Sequence, residues 1–238
     1  MHITEQAKAR LILSADDYGI RDTVRQILPL AEAGKLDRVG VMIQYCSPAD
    51  AQRLLATGVK IDIHLDLIKL LGRGAETGQG TLRRGLHFAI RHFLGSVPAT
   101  AVDTEWRRQI VRFQELFGRL PDGLNSHEHV HFYPSFFRVL LKLAHELHVP
   151  YVRFGQRGML LSLHHSAIGH ILAQLNRTNH RRYAASALAT STYLVSLDWV
   201  VGKQRFFQVL ESLSSEETVE LVVHPARERE RTFIEHHF

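Results

Sequence analysis

The sequence predicts an α/β protein with a parallel sheet, for which a single TIM-like (β/α) barrel is the simplest solution. Short apolar runs alternate with amphipathic, helix-periodic segments along the whole chain, as parallel strands with helical crossovers require. No linker, repeat or composition break interrupts that alternation over 238 residues, so about six or seven strand–helix units form a single barrel-like domain, 1–238. The composition, 45% apolar and 22% charged, is that of an ordinary soluble globular protein. A doubly wound open sheet shares the same one-dimensional pattern, and closure is not legible in it.

Taken in order, RLILSA (Arg10–Ala15) is almost wholly apolar, as a strand buried on both faces should be. DTVRQILPLAEAGK has helical spacing and stops at Gly34, despite the interior Pro29. RVGVMI (Arg38–Ile43) reads as a second strand, and SPADAQRLLATG as a helix with Ser47 as its cap and Pro48 at its first position. VKIDIHLDL (Val59–Leu67) alternates cleanly and makes a third strand. GRGAETGQGTLRRG (Gly72–Gly85) reads as an exposed loop bordering the cleft, followed by the helical patterns LHFAIRHFLG and AVDTEWRRQIVRFQELFGRL. DGLNSHEHVHF is a fourth strand running into a loop, and PSFFRVLLKLAHELH a helix opened by proline. PYVRFG reads as a fifth strand with a helix from about Met159; STYLVSLDWV and VELVVHP are further strands around the helix KQRFFQVLESL.

Several classes are disfavoured. The lone Cys46 rules out an internal disulfide framework and fits a reducing compartment. The polar start MHITEQAKAR has no secretory signature, and no apolar run approaches the roughly 20 residues of a membrane span. A soluble cytoplasmic protein is the expectation. The net charge of +5 and pI near 9.6 raise nucleic acid or anionic lipid as partners. Much of that charge sits in NRTNHRRYAAS, however, where a solvated helix end explains it more simply than a docking patch.

In a parallel sheet, ligands belong at the carboxyl ends of the strands. Strand one ends in Asp16 and Asp17, strand three in His64 between Asp62 and Asp66, strand four in His127, His129 and His131, and the last strand in His224. Each has a bland alternative. Adjacent aspartates before Gly19 can simply form a turn, and a single histidine among apolar residues is usually a hydrogen-bonded core residue. The triplet is different: on a strand, positions i, i+2 and i+4 share one face, so three imidazoles would crowd together unless a metal or an anion relieved them. Two histidines and one carboxylate leave coordination positions open for water and substrate. An ion held there lowers the pKa of water and polarises a carbonyl. One of the two aspartates could bind the ion while the other accepts a proton, and His224 could protonate a leaving group. Amide, ester and phosphate substrates all remain open on composition.

The motifs LILSADDYG, IHLDL, LNSHEHVHFYP and ELVVHPA, in this order, resemble the YdjC-like carbohydrate deacetylases from about Arg10 to Ala226. The resemblance implies a distorted barrel of the glycoside hydrolase/deacetylase type. It also implies one divalent metal, usually described as magnesium, with zinc plausible on ligand type, and hydrolysis of the acetamide of an N-acetylated amino sugar with release of acetate. Carried over by position, Asp17, His64 and His127 would hold the metal, Asp16 would be the base and His224 the acid. His129 and His131 would orient the ligands or face the substrate, and Arg153 could contact the sugar or form a surface salt bridge. An N-acetylated sugar is then the expected partner, with neither nucleic acid nor stable membrane insertion, and a homodimer is compatible. Three departures stand out. Asp62 replaces a frequent glycine, which would narrow the space beside the metal. Asn125 replaces a frequent aspartate. Twelve residues follow Ala226, fewer than such relatives usually carry, which would open the cleft or change the oligomer. Competing expectations are a lipid-linked (hopanoid-type) amino sugar, a phosphoesterase with a second metal on Asp62 or Asp66, and a binding protein without activity. Intact Asp16, Asp17, His64, His127 and His224 argue against the last.

Overall fold

The computed structural model describes residues 4–20, 22–70, 97–160, 167–200 and 203–238. The glycine-rich loop at 72–85 and the helical pattern at 86–95 lie outside them. Six strands form one parallel sheet in the order β4-β3-β2-β1-β6-β5. They are β1 (Leu11–Tyr18), β2 (Arg38–Val41), β3 (Lys60–Leu65), β4 (Gly123–Ser126), β5 (Tyr193–Ser196) and β6 (Val219–Val223). Helices α1 (Glu5–Lys8), α2 (Thr23–Glu32), α3 (Pro48–Ala56), α4 (Ala99–Phe117), α5 (Pro134–Glu146), α6 (Ala167–Ala184), α7 (Lys203–Ser212) and α8 (Glu228–His237) precede, connect and follow them. Ser47 caps α3 as its sequence position implies, accepting from the Asp50 amide at 3.2 Å with Pro48 in the first turn. No described helix is long and apolar enough to cross a membrane.

Strand alternation sorts the buried residues into two chemically distinct faces. Leu13, Ala15, Val39, Val41, Ile61, Ile63, Leu221 and Val223 occupy one parity and belong to the hydrophobic core with the helices. The α5 contribution is Phe136, Phe137, Leu140 and Leu143, each worth about 1.5–3 kcal/mol of burial. The other parity carries Ser14, Asp16, Arg38, Asp62, His64, Asn125 and Glu220, all buried and all polar. The concave side of the curled sheet is therefore filled by ion pairs and hydrogen bonds. Two strand glycines make that possible. A Cβ at Gly40 would lie 2.8 Å from Asp16 Oδ1, and one at Gly123 would lie 2.6 Å from the Arg38 guanidinium and 2.7 Å from Asp62.

The edges β4 and β5 are linked through the 150–160 segment, by single bridges from Leu124 to Val152, Tyr151 to Ala189 and Met159 to Leu194. A continuous fifth strand at PYVRFG, and a helix starting near Met159, are both corrected here. Pro150 lacks an amide proton, and Gly155 and Gly158 take φ of 77° and 103°, so no continuous ladder forms. The described part of the following helix begins at Ala167. The fourth strand also ends earlier than the alternation implied. It stops at Ser126, and His127–Phe132 coils into a 3-10 turn with Glu128 and His129 both at φ 53°. The three imidazoles therefore do not share a strand face.

Candidate active site

At the carboxyl end of β1 the ladder to β2 shifts register between Ala15 and Tyr18. Asp17 takes φ 71° there, and its carbonyl accepts from Thr23 Oγ1 at 2.7 Å. Consecutive strand side chains point to opposite faces, so Asp16 and Asp17 should diverge. The irregularity re-aims one of them, and both carboxylates line the same cleft of about 560 Å³.

Three potential ligand groups converge in it. Asp17 Oδ1 lies 2.9 Å from His127 Nδ1 and 3.4 Å from His64 Nε2, and one ligand atom from each residue falls within 4.8 Å of the others. Ligands at the roughly 2.0–2.2 Å typical of zinc must sit at such separations from one another. The donor set of one carboxylate and two imidazoles is also right for a divalent ion. Asn125 Oδ1, 2.5 Å from His64 Nδ1, accepts the proton there and leaves the Nε2 lone pair facing Asp17. Electrostatics agree. Burial pushes the Asp17 carboxyl up, but His127 and His64 overcome it and hold it well below the usual range. Burial lowers both histidines, and the aspartates more than compensate, so both are raised. Positive charge is favoured at this position, whether as imidazolium or as a metal ion.

Asp16 lies beneath this group, 2% exposed. Arg153 Nη1 donates to its Oδ2 at 2.6 Å and Nη2 to its Oδ1 at 2.9 Å. Burial alone would raise this carboxyl; Arg153, His64 and His224 together hold it far below the ordinary carboxylate range. His224, at the end of β6, has Nδ1 3.6 Å from Glu230 Oε2, within ion-pair range but too long for a hydrogen bond. Its backbone amide donates to the same oxygen at 2.7 Å. Burial lowers the His224 ring, and Glu230 with the two aspartates raises it overall.

The other two histidines of the triplet separate in role. His129 lines the cleft beside Trp199, ring centroids 5.4 Å apart; burial and Arg153 push its pKa down to about 3, so it is neutral. His131 is fully buried. Its Nε2 donates to the Arg153 carbonyl at 3.0 Å and its Nδ1 accepts from Ser126 Oγ at 2.6 Å. It pins the turn to the 150–160 segment and has no open side toward a substrate. Arg153 is likewise completely buried, so the sugar contact or surface salt bridge expected of it is replaced by an internal one. Asp62 does not crowd the ion position: it lies one layer deeper, paired with Arg38 at 2.8 and 2.5 Å. Asp66 accepts from Gln44 Nε2 and from the Ile68 amide, both at 2.9 Å. Among the described residues, Asp17, His64 and His127 are the cluster suited to a metal ion. Reading strand ends missed Asp198, Trp199 and Arg227 on the cleft wall. The same rule applied to SLDW after β5 would have found the first two.

A parallel sheet with acids and imidazoles gathered at its carboxyl edge defines an α/β protein with a potential metal-binding cleft at its strand ends. The chain belongs to the YdjC-like protein family, whose model matches residues 10–237. A carbohydrate deacetylase from Danio rerio is 26% identical over 163 residues, covering 62% of this chain and 50% of that protein, so the chain spans about half of its length. One from Brevibacillus brevis is 27% identical over 230 residues, covering 91% of this chain and 81% of that relative. A chitooligosaccharide deacetylase from Citrobacter koseri is 24% identical over 229 residues, with coverage of 91% and 81%. Among solved structures, an Enterococcus faecalis protein provisionally named for cellobiose-phosphate cleavage has a TM-score of 0.60 at 18% identity, covering 90% of this chain and 80% of its own; that likeness supports the fold.

Proposed function

We propose that this chain is a metal-dependent deacetylase that hydrolyses the acetamide of an N-acetylated amino sugar, releasing acetate and the free amine. The observation that carries this is the convergence of Asp17, His64 and His127 in one cleft with Asp16 and His224. The names of the relatives point to the same chemistry. Asp17 Oδ1, His64 Nε2 and a His127 ring nitrogen would hold one divalent ion, which when bound polarises a carbonyl and acidifies water. Asp16, kept ionised by Arg153, accepts the proton of the attacking water. His224, its pKa raised with Glu230 behind it, delivers a proton to the departing nitrogen. His129 is neutral and borders the substrate space without adding charge.

The test is acetate release from diacetylchitobiose by protein stripped of metal and resupplied with magnesium or zinc. Asp16→Asn should reduce metal-dependent release about 10²–10⁴-fold while one equivalent of metal still binds. Metal-independent release, or an unimpaired variant, would overturn the assignment.

A lipid-linked amino sugar is favoured as an alternative substrate by one observation. A second pocket of about 360 Å³ shares Asp198 and Arg227 with the cleft and joins Arg229 and Glu230 to an apolar wall of Leu197, Val200, Phe206 and Phe233. Faster turnover of a long-chain alkyl N-acetylglucosaminide than of diacetylchitobiose would select it.

A further inference from the structure

Glu220 is the second residue of β6, in the run VELVV, and is fully buried. Burying a carboxylate is costly, and an apolar residue of similar volume is often no less stable. Its surroundings show what it does. Arg153 Nε donates to Glu220 Oε1 at 2.6 Å, and the Tyr151 hydroxyl donates to Oε2 at 2.7 Å. Both carboxylate oxygens are thus engaged by residues two apart in the 150–160 segment.

The backbone of that segment is held on both sides. The Arg153 amide donates to the Leu124 carbonyl at 3.0 Å and the Leu124 amide to the Tyr151 carbonyl at 2.9 Å, while the Val152 amide donates to the Ala189 carbonyl at 3.0 Å. The Arg153 side chain holds Asp16, and the Arg153 carbonyl also receives His131 from the histidine turn. A planar guanidinium can rotate about its Cδ–Nε bond unless Nε is fixed. With Nε on Glu220, Nη1 and Nη2 are left facing Asp16, and Nη2 also donates to Ser14 Oγ at 2.6 Å. Tyr151 is fixed in turn, because the Arg38 guanidinium carbon lies 3.9 Å from its ring centroid and Arg38 is paired with Asp62.

We propose that Glu220 and Tyr151 are positioning residues. They fix the Arg153 side chain from below, beyond the reach of its backbone hydrogen bonds, so that Asp16 is presented to the cleft in one orientation. The assignment of Asp16 as the proton acceptor is taken from the proposed deacetylase reaction.

The test compares Glu220→Leu, which removes the acceptor at similar volume, with Glu220→Asp and Tyr151→Phe in the full, metal-loaded chain, with kcat and KM for diacetylchitobiose normalised to the folded fraction. A misplacement of a reacting group by about 1 Å costs up to about 100-fold; Glu220→Leu should lower kcat at least about tenfold on that scale, with KM and metal stoichiometry unchanged. Tyr151→Phe, a mild change that removes one hydroxyl, should lower kcat less and add nothing in the Glu220→Leu background. Glu220→Asp keeps the charge but loses reach, so it should not restore kcat. Wild-type kcat in Glu220→Leu or in Glu220→Asp would overturn the proposal. A second readout does not depend on turnover: the Arg153 Nε–H resonance should be slow to exchange in the wild type and fast in Glu220→Leu. If the wild type deacetylates no amino sugar, the deacetylase reading fails, and this resonance alone decides whether the clamp exists. Protection that persists in Glu220→Leu would sink it.

Discussion

The concave side of the sheet holds two polar regions, one above the other, and they are satisfied very differently. The lower one comprises Arg38, Asp62, Tyr151, Glu220 and Arg153, and each side chain has a short partner, from 2.5 to 2.8 Å. The upper one, at the strand ends, contains buried nitrogens without a hydrogen-bond partner among the described residues: Asn125 Nδ2, His129 Nδ1 and His224 Nδ1. Unpaired buried polar atoms occur elsewhere among the described residues too, at Arg10 Nε and Trp106 Nε1; what sets the upper region apart is that its imidazoles and two carboxylates line the cleft. The difference teaches that the lower region is support and the upper one faces the cleft.

If that division is right, the lower region should respond to mutation mainly in stability. Asp62→Ala leaves the Arg38 charge buried and unpaired and should cost about 3–5 kcal/mol in urea unfolding. Replacing the pair together, Arg38→Met with Asp62→Leu, should recover most of the loss. A double variant as weak as the single one would mean that the layer is held by more than charge balance. Gly40→Ala cuts across both regions. Its new Cβ would press on Asp16 Oδ1 at 2.8 Å and on His64 Cβ at 3.4 Å. Overpacking of this kind costs about 1–3 kcal/mol; acetate release should fall further than that destabilisation explains, and equal losses in both would argue against crowding of the site.

Smaller effects probe the upper region. Asn125→Asp gives His64 Nδ1 a charged acceptor and removes the unpaired Nδ2. Metal titration by calorimetry should show affinity rising up to about tenfold; no change would deny Asn125 a part in orienting His64. Glu230→Gln should move only a pH limb. His224 must be protonated to act as an acid, so activity is lost as pH rises through its pKa, which Glu230 helps to raise. Neutralising Glu230 lowers that pKa, so the alkaline limb of kcat/KM should move to lower pH. A shift the other way, or none, would separate Glu230 from the acid.

Much of this arrangement was legible before any tertiary structure. Ligand chemistry at the carboxyl edge follows from chain direction in a parallel sheet, and that rule picked out Asp16, Asp17, His64, His127, His129 and His224, which line one cleft, together with Asp62, Asp66 and His131, which do not. The histidine triplet was misread because period-two geometry was extended past Ser126. Left-handed backbone at Glu128 and His129 ends that geometry, and nothing in the local residue types announces it. Asp62 was expected to narrow the space beside the ion because it stands where similar proteins often have glycine; its pairing with Arg38 holds it one layer deeper, and that partner is not encoded in local spacing.

The sequence by itself determined the alternating elements, the parallel sheet, and which strand ends carry acids and imidazoles, because these follow from local periodicity and chain direction. Only the tertiary structure decided what those groups rest on. Arg153 finds Asp16 across 137 residues and Glu220 across 67. Such partners are set by sheet order and curl, which place β1, β6 and the 150–160 segment around one polar interior, and no spacing along the chain encodes that adjacency.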